Sequence, residues 1–283
     1  MEVALALAAA LLFSLGTVLQ EQVASQASEE DARGAGFLLA LARKPRWLAG
    51  IVADGLGFVA QAGALAIGRL VVVQPLLATS VVFALPIGAK LGGRPVSRPD
   101  VLAACAVTAG LGVFLVAADP SGGVDNPSAT AWIVSFGACF AAAAALMLSA
   151  RGRSPATRAA LLGIAAGVLF ALSAALTKAT VDVLDEGVLE VFVDWHLYGL
   201  LVVGYASMSL SQASLQTGAL APAVATQMSL DPITSVLLGT LAFDETIHET
   251  AGGLALALAA FAVMIAGLVY LALHRQAPEP AMR

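Results

Sequence analysis

Charge is scarce in this chain. Of its 283 residues, 12% are Asp, Glu, Lys or Arg and 59% are hydrophobic, whereas a soluble domain carries about 25% charged residues. That shortage excludes an ordinary soluble domain and assigns the chain to a bilayer. Cysteine is scarcer still: Cys105 and Cys139 lie in different apolar runs without metal-ligand spacing, which excludes a zinc module and reads as two buried free thiols. No basic cluster is interleaved with aromatics, so nucleic acid is not an expected partner. There is no P-loop, Gly-rich nucleotide fingerprint or HExxH motif, so neither an ATP-driven pump nor a membrane metalloprotease is supported. No nucleophile and base stand at readable spacing, and neither enzymatic activity nor a cofactor is expected. The first residues, MEVALALAAALLFSLG, lack the positive n-region of a secretory signal and carry Glu2 instead. They read as a retained first helix.

What the chain does have is apolar runs of about 17 to 25 residues, the length that spans hydrocarbon. Nine are counted, at roughly Val3 to Gln22, Trp47 to Gly68, Leu70 to Gly92, Val101 to Ala118, Ala129 to Ser149, Ala159 to Val181, Asp194 to Thr217, Ala219 to Phe243 and Gly252 to Leu273. Gly68 and Gly218 serve as tight turns inside two long apolar pairs. Lys and Arg gather in cytoplasmic loops, and one set of alternate loops holds Arg33, Arg43, Lys44, Arg46, Lys90, Arg94, Arg98, Arg151, Arg153, Arg158, Arg275 and Arg283, twelve of the fourteen basic residues. The other side holds Arg69 and Lys178. The split predicts an amino terminus outside and a carboxyl terminus in the cytoplasm, in a multi-pass protein of the inner (plasma) membrane.

Acidic residues concentrate on the opposite side: Asp119, Asp125, Asp182, Asp185, Glu186, Glu190, Asp194, Asp244, Glu245 and Glu249. Such a face either raises local cation concentration at the mouth of a pathway or simply keeps loops soluble while excluding positive charge.

The helices contain a weak internal repeat. LAAALLFSLGTVL at Leu7 to Leu19 matches IAAGVLFALSAAL at Ile164 to Leu176; GALAIGRL at Gly63 lies over ASLQTGAL at Ala213; RPVSRPD at Arg94 lies over ETIHETA at Glu245. On the nine-helix topology the matched helices cross in opposite directions, which makes the repeat an inverted one. Its halves are 1–125 and 126–275 of one transmembrane domain, followed by a cytoplasmic tail, 276–283.

Two aspartates lie well inside spans, where a charge costs several kcal/mol and usually has a function. Asp231 is near mid-span, next to Pro232, which removes a backbone donor and frees carbonyls near Met228. Gln227, at i−4, shares its face. Asp54 has Gln61 two turns further along, so both can look toward one cavity. These five residues form the candidate substrate site, and the two carboxylates with their amides offer the hard oxygen ligands Mg²⁺ would use. The alternative is interhelical hydrogen bonding to a neighbouring Ser or Thr. Glu21 and Lys178, equivalent in the matched helices, either gate or couple a pathway or snorkel to the headgroups. His196, beside Trp195 and Tyr198, reads as part of an interfacial aromatic belt more than as a ligand, with proton sensing the alternative. Small-residue runs such as AAAAAL near Ala141 allow close helix approach within one chain or in a homodimer.

ALAIGRLVVVQPLLATSVV in the first half, and ALAPAVATQMSLDPITSVLLGTLAFDETI before a small-residue closing helix in the second, resemble the drug/metabolite transporter superfamily. In EamA-type members a proline-bearing helix ends in a Gly, Leu and Glu pattern, which Pro232, Gly239 and Glu245 fit. Ten helices are common there, and this chain has one fewer in its first half; Arg94 replaces the acidic counterpart of Glu245. A nine-helix form with an outside amino terminus is similar to the NIPA-type magnesium transporters. The resemblance implies a central cavity between inverted halves and adds Glu245 to the gating or coupling group.

The sequence therefore predicts an all-α polytopic membrane bundle of two inverted repeats, a secondary transporter moving a small molecule or ion by alternating access. The alternatives are a Mg²⁺ transporter and a non-transporting membrane scaffold with a closed, dry core.

Overall fold

Inside hydrocarbon every backbone amide must find a partner within the chain, so the apolar runs fold as helices. The computed structural model describes residues 1–24, 43–92, 96–247 and 251–275. Arg33, Arg94, Glu249, Arg283 and the expected tail 276–283 lie outside the described residues. In order come α1 (Glu2–Ala24), α2 (Pro45–Ile67), α3 (Leu70–Leu77), α4 (Ser80–Gly92), α5 (Arg98–Ala118), β1 (Ser121–Gly122), α6 (Ala129–Ser149), α7 (Pro155–Glu186), α8 (Glu190–Val193), α9 (Trp195–Leu215), α10 (Leu220–Leu241), β2 (Glu245–Thr246) and α11 (Ala251–Arg275).

The result is an all-α membrane bundle. Among the described residues seven stretches are long and apolar enough to cross a membrane: α1, α2, α3 with α4, α5, α6, α7 and α11. The 21 residues of α9 and the 22 of α10 match them in length but are more polar, carrying Ser207, Ser211 and Ser214 on one helix and Gln227, Ser229, Asp231 and Ser235 on the other. Large apolar side chains cover the periphery. Val116 is 82% exposed and Ile133 72%, as lipid-facing positions require.

Helix starts follow local chemistry. Ser97 caps α5 in a capping box with Asp100, Ser128 caps α6, and Ser154 precedes Pro155 at the head of α7, each satisfying amides that lack intrahelical partners. The run Leu70 to Gly92, expected as one helix, is divided at Ala78–Thr79. Pro75 withholds an amide from the preceding turn, and the Thr79 hydroxyl donates to the Leu76 carbonyl at 2.6 Å. In contrast α10 runs unbroken through Pro232. Cys139 is buried as expected; Cys105, expected to be buried too, lies on the exposed side of α5.

The central element is α7, which packs against α2, α6, α9 and α10; α1 packs against α2, α3 and α4, and α5 against α11. Glycines permit the close crossings. A Cβ on Gly110 would come within 2.7 Å of the Ala260 carbonyl oxygen, and one on Gly267 within 2.9 Å of that of Ala103, so α5 and α11 interlock reciprocally. On α7, a Cβ at Gly167 would meet the Gln227 carbonyl oxygen at 2.8 Å, the Leu230 Cβ at 3.0 Å and the Asp231 amide at 3.1 Å. Two of these obstacles are backbone and cannot rotate away. Gly167→Val should therefore push α10 off α7 and cost about 1–3 kcal/mol, measured as a lower thermal midpoint in detergent. An unchanged midpoint would mean the two helices do not meet here.

One end of the bundle is tied together by long-range bonds. The two-residue strands pair antiparallel, Ser121 with Thr246 and Gly122 with Glu245. The Arg69 Nε donates to the Gly122 carbonyl at 3.1 Å, and the Arg69 amide to Glu2 at 3.3 Å. This end joins the start of α1, the α2–α3 junction, the end of α7 and the segment after α10.

Candidate functional site

The α2–α3 junction is a helix break with a buried charge at each broken end. A helix C-terminus presents carbonyls without partners and partial negative charge; an N-terminus presents amides and partial positive charge. Lys178, on α7 and 6% exposed, donates from Nζ to the Gly68 carbonyl at 2.9 Å and to that of Leu65 at 3.4 Å, covering the end of α2. Its third contact is the Asp125 carboxylate at 3.4 Å. Glu245, 2% exposed, accepts from the Leu70 amide at 2.7 Å and the Val71 amide at 2.8 Å, covering the start of α3. Gly239 of α10 makes room for that carboxylate, since a Cβ there would lie 2.5 Å from its Oε2. This accounts for the glycine in the Gly, Leu and Glu pattern. Burial pushes the Glu245 carboxyl above the usual glutamate range, against the opposing pull of the Val71 and Leu70 amides, Lys178 and Arg69.

Both basic residues at this end are thus committed to carbonyls: Arg69 to Gly122, Lys178 to Leu65 and Gly68. Lys178 turns inward from the helix where snorkelling to the headgroups was one of its two expected roles. Glu21, its counterpart in the repeat, is exposed in the last turn of α1.

Deeper in the bundle, polar side chains engage neighbours on several helices. Asp231 is half-buried and accepts from the Ser235 hydroxyl at 3.3 Å, one turn along α10. Pro232 is buried beside it. The Gln227 amide oxygen accepts from Ser211 of α9 at 2.7 Å, so the residue expected to share a face with Asp231 is held by another helix. Asp54 is half-buried and accepts from the side-chain amide of Gln20 on α1. Gln20 was not foreseen; the pairing expected for Asp54 was a shared outlook with Gln61, which is half-buried on the same helix. Gly16 leaves the space Asp54 occupies, for a Cβ there would overlap its carboxylate. The structure therefore assigns Asp54 to the α1–α2 pair and Asp231 to α10, which packs on α7 and α3.

Two further polar groups escaped the sequence reading. Gln74 of α3 is 4% exposed and its Nε2 has no hydrogen-bond partner among the described residues; the hydroxyl of Ser14 on α1, 2% exposed, has none among them either. A buried polar atom left unpaired costs about 1–3 kcal/mol, which makes each one a candidate for a ligand contact. The available signal was Gln74 beside Pro75 within VVVQPLL, an amide inside an otherwise apolar run. Among the described residues no three His, Cys, Asp or Glu side chains are grouped to hold a metal ion.

Comparison with known proteins gives one informative likeness. An uncharacterized protein of Corynebacterium glutamicum is 30% identical over 241 residues, which is 85% of this chain and 83% of that protein. No family model matches the chain, and no solved structure does.

Proposed function

The chain belongs to the same family as that corynebacterial protein, and from the polar interior of its bundle we propose that it is a secondary transporter of the drug/metabolite transporter type, EamA-like, moving a small solute by alternating access. The observation that carries this reading is a buried side-chain amide, unpaired among the described residues, on a helix that packs against the one bearing Asp231. Gln74, buried with a free amide, lies on α3, and α3 packs on α10, which bears the half-buried Asp231. Incompletely paired polar groups inside hydrocarbon are expensive, and a solute that pairs with them in passing explains their retention. A closed scaffold core would have each of them satisfied.

Nine crossings arranged as inverted halves, 1–125 and 126–275, belong to this proposal. Support comes from the likeness of packing: α1 meets α2 and the pair α3 and α4, as α7 meets α9 and α10. With α9 and α10 counted as spans, Arg69 and Lys178 stand on the side opposite the other basic residues; both donate to carbonyls there, and Lys178 also pairs with Asp125. The proposed amino terminus is outside, in the plasma membrane. The capped α2–α3 break then forms an outer gate, with Lys178 and Glu245 as its latch.

A Mg²⁺ cargo is the second reading within transport, favoured by the acidic residues at that end. Two carboxylates held by different helices support it less well than they support an organic solute paired with amides and hydroxyls. Isothermal titration of the full chain with amino acids and with Mg²⁺ separates the two. A saturable heat with an amino acid, lost in Gln74→Leu, is the expected result; heat with Mg²⁺ alone would transfer the assignment to the cation.

A further inference from the structure

A cavity of about 550 Å³ lies at the end of the bundle that carries the strand pair, lined by Asn126, Pro127, Ala129, Trp132, Ile133, Phe136, Trp195 and His196. Half of its lining is aromatic or imidazole, from Trp132, Phe136, Trp195 and His196. Trp132 stands edge-on to Trp195 at 5.4 Å and to His196 at 5.4 Å, while Trp195 overlaps His196 at 4.0 Å.

The polar inventory of this wall is short. The Trp132 indole N–H is used, donating to the Asn126 side-chain oxygen at 3.1 Å. His196 is 3% exposed. Its Nδ1–H donates to the Asp194 carboxylate, so in the neutral ring the lone pair is on Nε2. That Nε2 is buried and has no hydrogen-bond partner among the described residues. In that form it lacks an N–H donor, and the indole faces favour a cation, as does the negative charge of the Asp194 carboxylate held on the ring's other nitrogen. Asp194 also caps the start of α9, accepting from the His196 amide at 2.7 Å, and so offsets the positive helix end. No Lys or Arg lines the cavity, which leaves an anionic headgroup without a counter-charge. On the cavity's flank Ile133 is 72% exposed and Phe136 stacks on Phe140 at 6.1 Å, an apolar track continuous with the lipid-facing surface.

We propose that this cavity is a lipid site for a primary-ammonium headgroup, that of an aminophospholipid, with the ammonium directed to the His196–Asp194 pair and an acyl chain along Ile133, Phe136 and Phe140. The proposal is independent of any transported solute.

Trp132 and Trp195 are two of the three tryptophans, so intrinsic fluorescence reports on the cavity. The full chain in mixed micelles is titrated with phosphatidylethanolamine, phosphatidylcholine and phosphatidylglycerol of identical chains, and with free ethanolamine. Phosphatidylethanolamine should saturate the signal at a concentration about tenfold lower than phosphatidylcholine, whose ammonium has no N–H, the difference being one charge-assisted hydrogen bond. His196→Phe, which keeps a ring in the stack, should abolish the preference. Ala129→Phe, which fills the cavity and adds no tryptophan to the signal, should abolish the response to every lipid. Equal saturation by the two zwitterionic lipids, a preference for phosphatidylglycerol, an equal response to free ethanolamine, or an unaltered preference in a folded His196→Phe chain would each overturn the assignment.

Discussion

Replacing Asp231 with asparagine is expected to reduce solute uptake into proteoliposomes to the level of protein-free vesicles while leaving the thermal midpoint near that of the parent chain. Asparagine keeps the volume and keeps an oxygen for the Ser235 hydroxyl, which donates to Asp231 at 3.3 Å, so α10 has no reason to repack. What it removes is the ability to carry a negative charge or to bind and release a proton. In the transport reading that ability holds the cargo or its coupling ion at mid-depth. Ser235→Ala provides the graded control. It deletes one hydrogen bond, worth about 0.5–1.5 kcal/mol, and should weaken apparent affinity up to about tenfold without abolishing uptake. Full transport by a folded Asp231→Asn chain would remove Asp231 from the mechanism and leave it a partner of Ser235 within α10.

Much of the bundle could be read in advance, because hydropathy senses the medium around a helix. It could not sense where a helix outruns that medium. The run expected at Ala159 to Val181 extends from Pro155 to Glu186, the added turns carrying Arg158, Asp182 and Glu186, whose charges ended the apolar count although Ser154 had already capped the helix. It also could not assign neighbours. Asp54 and Gln61 share a helix, yet the partner of Asp54 is Gln20 on α1; Gln227 belongs by spacing with Asp231, yet Ser211 of α9 holds it. Spacing along one helix says which face a residue takes, and only the packing of helices says what that face meets. His196 illustrates the same limit. An aromatic belt accounts for its neighbours Trp195 and Tyr198, but its burial against Trp132 of α6 depends on a contact between residues far apart in the chain.

The largest effect on stability is expected at Lys178. Lys178→Met keeps most of the stem but strips the Leu65 and Gly68 carbonyls of their donor and leaves Glu245 without the first of the two cations, Lys178 and Arg69, that lower its proton affinity. Removing one member of a buried charged set costs about 3–5 kcal/mol, so the thermal midpoint should fall steeply. Its pH dependence tells the two causes apart. The Glu245 carboxyl is already raised above its ordinary value of 4.5 by burial. A carboxyl raised in the folded state contributes stability that is fully present below its unfolded value and lost as pH rises through the folded one. Without Lys178 the folded value rises further, so the deficit of Lys178→Met relative to the parent should be smallest in acid and widen as pH rises. Adding Glu245→Gln removes the ionisable group, flattens that profile and recovers the part of the loss due to the unpaired carboxylate; what persists measures the capping of α2. A deficit that stays constant with pH, in chains that still fold, would show that Lys178 serves only the α2 carbonyls. The two buried charges would then act separately, and the latch at the break between α2 and α3 would have to be sought in the strand pair of Gly122 and Glu245.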